Sequence, residues 1–217
     1  MAGFLSRIFG KKKESAEKFE KPDTTPDFPC PFGYKNAWYA IENETPETVV
    51  EKLNLNIVAE SNWQDGIDRT YYSDDVFVSP QVNGFVLVVG LIGMTRNIEH
   101  EDVESHARQF AQLQYFGTHR VVEYHAWAKF ADGKPIRAYA YLGESGEVQW
   151  DEGAITPEEL ELGFDKFVKV HEEFSDDTVF PSEEDVLEIA KAWGVDPLFG
   201  DGNYEKSTGY ICGFATP

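Results

Sequence analysis

Two cysteines, Cys30 and Cys212, are all that the 217-residue chain contains. Two isolated thiols make neither a disulfide framework nor a structural zinc site. They are expected to be reduced, as in a cytoplasmic protein. Long apolar runs are missing as well. The longest, Phe85 to Met94, is strand-length, well short of the roughly 20 residues that cross a bilayer. Basic side chains are scarce, with 19 Lys and Arg against 39 Asp and Glu and a net charge of −20. A surface of that sign repels phosphate backbones, which argues against nucleic acid as a direct partner.

Signature loops are also lacking. No Walker or dinucleotide-binding loop occurs, so no nucleotide cofactor is expected. Gly143-Glu144-Ser145-Gly146-Glu147 has the wrong glycine spacing for a nucleophile elbow and reads as a turn. Asp196 to Glu205 lacks the positions of an EF-hand loop. The five histidines, His100, His106, His119, His125 and His171, match no metal-ligand spacing, and no metal is expected.

What the chain does have is apolar and aromatic content, at 41% and 14%, enough for a packed core. It also has an uneven charge. Residues 1–21 carry six basic and three acidic side chains, whereas Glu144 to Glu188 carry 16 acidic and two basic. The acidic segment would steer a basic protein partner, or simply be a solvated face. Phe4, Leu5, Ile8 and Phe9 share one helical face just before Lys11, Lys12 and Lys13. That order is the reverse of a secretory signal. It reads either as a weak membrane-surface contact through residues 1–13 or as a solvated tail.

Pro22, Pro26, Pro29 and Pro31 extend the tail to residue 33, and a single domain is expected over 34–217. Asn36 to Glu42 reads as a strand, and Thr45-Pro46 opens a short helix. Asn62 to Asp75 reads as irregular. Val76–Ser79 and Phe85–Val89 form a hairpin around Asn83-Gly84. A helix is predicted over Glu101 to Phe116, then a second hairpin, Arg120–Phe130 and Ile136–Leu142, turning at Asp132-Gly133. Thr156-Pro157-Glu158-Glu159 opens a helix to about Val170, and Ser182 caps another that ends at Gly194. The chain after Pro197 reads as irregular. The fold class is α+β, an antiparallel sheet made from hairpins with helices packed on it.

The second hairpin carries the best chemistry. Glu123 and His125 lie two residues apart on one strand face, predicted to oppose Leu142 and Ala140. A carboxylate and an imidazole in mutual reach, partly dry, are what an acid-base site needs, though a satisfied structural pair has the same pattern. For partner binding, Glu172, Glu173, Asp176 and Asp177 supply negative charge. Trp150, with Trp63, Tyr71, Tyr72 and Tyr204, supplies aromatic anchors in segments read as irregular.

The run Phe116-Gly117-Thr118-His119-Arg120-Val121-Val122-Glu123-Tyr124-His125-Ala126-Trp127, with Arg137 to Tyr141 and Gly143-Glu144, resembles small bacterial proteins associated with the immunity proteins of polymorphic toxin systems. The resemblance covers about the central half of the domain. It implies a cytosolic, non-enzymatic inhibitor of a toxin, and the acidic surface would suit a basic one. The alternative is a hydrolase-type enzyme working through Glu123 and His125.

Overall fold

The computed structural model describes residues 21–93, 98–171, 174–200 and 202–215. The amphipathic stretch at residues 1–13 lies outside them.

The first strand, β1 (Ala37–Glu42), shows how the molecule is layered. Ala37, Tyr39 and Ile41 point into one apolar cluster, while Trp38 and Ala40 point into another. A strand apolar on both sides needs cover on both sides. It lies at the centre of a nine-stranded sheet formed by the described residues, in the order β2-β9-β3-β4-β1-β5-β6-β7-β8. The other strands are β2 (Leu55–Asn62), β3 (Val76–Val78), β4 (Phe85–Val89), β5 (Gln112–His119), β6 (Tyr124–Ala131), β7 (Lys134–Leu142), β8 (Glu147–Gly153) and β9 (Thr208–Phe214). All neighbouring strands pair antiparallel.

Helices cover both faces. On the first face α1 (Pro46–Lys52) contributes Val49 and Val50, and α3 (His100–Ala107) contributes Val103 and Ala107. Ala126, Ala128, Ala138 and Ala140 form the floor of this layer. The second face is covered by α2 (Trp63–Thr70), the short α4 (Pro157–Glu161) with a 3₁₀ turn at Phe164–Lys166, and α5 (Glu183–Ala192). Among the described residues, no helix is long and apolar enough to cross a membrane.

The local punctuation is as the sequence suggests. Thr45, Thr156 and Ser182 each accept from a backbone N–H three residues on, capping α1, α4 and α5. Asn83-Gly84 and Asp132-Gly133 both take positive φ, as tight hairpin turns require.

Several expectations are corrected. The helix from Glu101 ends at Ala107, and Gln112–His119 is instead β5, between β1 and β6. Leu113 and Tyr115 alternate with Gln114 and Phe116, and pairing with strands already present favours that period. The helix opened by Thr156 stops at Glu161, where Gly163 turns left-handed. Asn62 to Asp75 contains α2, and the C-terminal region contains β9, with Cys212 buried in it. The tail is shorter than expected, because Phe32 is buried and Asp27 accepts from the backbone of Trp63 and Gln64. Strand β6 begins at Tyr124, not Arg120, because Glu123 takes φ +53°.

Candidate functional site

A cleft of about 420 Å³ opens where the β5–β6 turn meets the start of α5. The turn leaves β5 at His119, whose carbonyl accepts from Val122 N–H. Glu123 then adopts its left-handed backbone, which is costly for a residue with a side chain and is concentrated at functional sites. The β7–β8 turn holds it there: Gly143 N–H donates to the Glu123 carbonyl at 3.0 Å, and Glu144 N–H donates to Val122 at 3.2 Å. Gly143 is needed at that spot, since a Cβ would come within 2.5 Å of Glu123 Cβ.

His125 faces the same cleft from β6, opposite Tyr141 of β7. The expected partners Ala140 and Leu142 are displaced by one position, because a bulge between Lys129 and Phe130 shifts the register. The face is therefore Tyr141, Tyr139 and Arg137 rather than alanines. From the other side, α5 brings Glu183, whose Oε1 accepts from Lys35 N–H at 3.1 Å. Ser182 Oγ donates to Asp185 at 2.7 Å, so this hydroxyl is committed to the cap. Arg120 and Phe180 complete the rim.

The electrostatics are mixed. Burial lowers the His125 pKa from its usual value, opposed by the charges of Glu183, Asp185, Glu123 and Glu184. The net result is a neutral imidazole at pH 7. His125 is 5% exposed, and its Nδ1 has no hydrogen-bond partner among the described residues. Burial, aided by the Glu123 charge, raises the Tyr141 pKa. The sequence-predicted pair Glu123 and His125 is thus brought together on one open cleft. Glu183, Tyr141 and Arg120, which no local pattern attached to the pair, join it through the tertiary structure.

From Tyr141 a line of aromatic rings leads outward. Tyr141 and Phe180 are 5.3 Å apart between centroids, and Phe180 meets Phe174 edge-on at 5.1 Å. Phe180 is 41% exposed and Phe174 52%. Asp176 and Asp177 are exposed between them, in a turn where Thr178 N–H donates to Ser175. Glu172 and Glu173 lie outside the described residues.

Trp150 is not on this surface. It is 5% exposed, on the first face of the sheet, stacked on His100 at 4.5 Å and near Phe130 at 5.9 Å. The segment read as irregular is strand β8, and a bulge between Ala140 and Tyr141 sets which of its residues turn inward. Trp63 is likewise buried, whereas Tyr72 is exposed.

Two polar networks escaped sequence reading. On the first face, His100 Nε2 lies 3.1 Å from the Tyr124 hydroxyl, which lies 3.2 Å from that of Tyr115. On the second, Glu159 accepts from Trp127 Nε1 at 2.8 Å and from Arg137 Nε at 2.9 Å, and Arg137 also pairs with Asp151 at 2.6 Å. The capping pattern Thr156-x-x-Glu159 marked Glu159 as a cap, and nothing local connected it to Arg137. Among the described residues, no group of three or more His, Cys, Asp or Glu is placed to hold a metal ion. No family model matches the chain, and no curated protein or solved structure does either.

Proposed function

We propose that this protein is a non-enzymatic, cytosolic acidic binding protein, an immunity-like inhibitor that holds a basic protein partner, a toxin by the resemblance above. The observation that carries this reading is the exposed aromatic pair Phe174 and Phe180, set beside Asp176 and Asp177 in the most acidic stretch of the chain. Large exposed rings beside carboxylates combine the apolar anchor and the charge steering that a basic surface requires.

Pull-down of the tagged full-length chain from its native cells at low and moderate salt tests this. The expected result is one enriched basic protein, lost as salt rises. Combining Asp176→Asn and Asp177→Asn with Phe174→Ala should weaken its capture and flatten the salt dependence. Undiminished capture by that variant, or no enriched basic protein at all, would overturn the reading.

A second reading has its own support. Glu123 and His125 line an open cleft instead of a sealed core, and Glu183 adds a second carboxylate. A neutral imidazole between carboxylates suits a hydrolase in which His125 takes a proton from water. Turnover in a panel of ester, phosphoester and glycoside substrates, lost in Glu123→Gln and in His125→Gln, would support it. No turnover across that panel would remove it.

A further inference from the structure

The cleft beside Glu123 is lined by acidic and aromatic groups. Its acidic groups come from two distant parts of the chain, Glu123 in the β5–β6 turn and Glu183 at the start of α5. Glu183 is buried, and one of its oxygens is engaged by Lys35 N–H. Between them sits His125, more than nine-tenths buried, lining the cleft with no partner for Nδ1 among the described residues. That Nδ1 is sealed from the cleft, so the residue offers a ligand the rest of its ring and not this nitrogen. The remaining wall is aromatic, Tyr141 with Phe180 against it. Carboxylates and ring faces together suit a cation carried on an apolar stem.

We propose that the cleft takes one lysine or arginine side chain of the basic partner, held by the Glu123 and Glu183 carboxylates against the Tyr141 and Phe180 rings and the His125 imidazole. This rests on the reading of the protein as an acidic binder, and makes the cleft the anchor point beneath the exposed Phe174–Phe180 surface. Arg120 stands on the same rim with the opposite sign. It repels an incoming cation and favours an anion, so it decides between the two ligand classes.

The test uses acetyl-arginine amide and acetyl-lysine amide as probes, titrated into the full-length protein while the His125 ring signals are followed by NMR. A saturable shift is expected at millimolar probe. Glu123→Gln should weaken binding about fivefold and Phe180→Ala about threefold, while Arg120→Ala should tighten it about threefold. Both Glu123 and Phe180 are exposed, so neither change threatens folding. No saturable shift, a weaker Arg120→Ala variant, or a response to inorganic phosphate alone would overturn the proposal. Partner capture that depends on Asp176 and Asp177 yet ignores every cleft variant would leave the binding role standing and remove this inference. Saturable probe binding without any basic partner in the pull-down would do the reverse.

Discussion

Along β6 and β7, the second face of the sheet carries two polar clusters, and only one of them is satisfied. At Trp127 and Arg137, Glu159 accepts from both side chains, Asp151 takes the remaining charge, and Thr156 N–H donates to the second Glu159 oxygen at 2.8 Å. Two residues along β6, His125 is as deeply buried and has an unpaired ring nitrogen. The first cluster fastens α4 to the sheet. The second opens onto a cleft and is backed by a residue in a left-handed conformation, Glu123. Buried polar groups that find partners stabilise and specify a fold, and one left without a partner contributes little to it.

The strongest way to break this comparison is at Glu159. Glu159→Ala leaves Arg137 and Trp127 buried without their main acceptor, and should destabilise the fold by about 3 kcal/mol or more. Urea unfolding measures it, and a loss under about 1 kcal/mol would show that this network is no more structural than the cleft.

The opposite face supplies the next largest effect. Burial against Trp150 brings the His100 pKa down to about 4, against about 6.5 in an unfolded chain. The folded value is the lower, so the unfolded state binds the proton first. Stability present above pH 6.5 is therefore lost as pH falls toward 4, by about 2–3 kcal/mol for this group. Denaturant midpoints measured from pH 7 to pH 4 should fall less steeply in His100→Gln, and matching slopes would remove His100 as the cause.

His125→Leu sharpens the contrast by its smallness. Since the imidazole has little to lose, stability should stay within about 1 kcal/mol of wild type, or rise. Thermal unfolding decides this, and a loss like that of Glu159→Ala would mean that His125 is structural after all. Smallest of all, Glu123→Gly should stabilise by about 0.5 kcal/mol by relieving the left-handed backbone. Binding of the arginine probe should weaken at least fivefold with it, and a destabilised Glu123→Gly variant would show that the conformation carries no strain.

How far the sequence alone reaches depends on the range of the interaction. Glu123 and His125 are legible as a pair because they are two residues apart at the start of a strand, close enough to share one side of it. Their cross-strand neighbours are not legible in the same way, because one bulge at Lys129 and Phe130 shifts the register by one position, and no composition rule announces it. The burial of Trp150 is hidden for a related reason: the strand that carries it, β8, has mostly exposed polar residues and resembles a loop. The helix expected from Glu101 to Phe116 failed where residues 112–119 fit either period and pairing with β1 decided between them.

Local chemistry alone accounts for the acidic charge and its concentration between Glu144 and Glu188, the caps at Thr45, Thr156 and Ser182, and the turns at Asn83-Gly84 and Asp132-Gly133. These follow from composition or from contacts within about four residues, where local chemistry has few competitors. Only the tertiary structure decided that β9 joins the sheet between β2 and β3, that Glu183 reaches across 148 positions to Lys35 beside the His125 cleft, and which aromatics stay outside. Each of those depends on what the rest of the chain presents opposite, because burial and strand pairing take their free energy from partners remote in sequence.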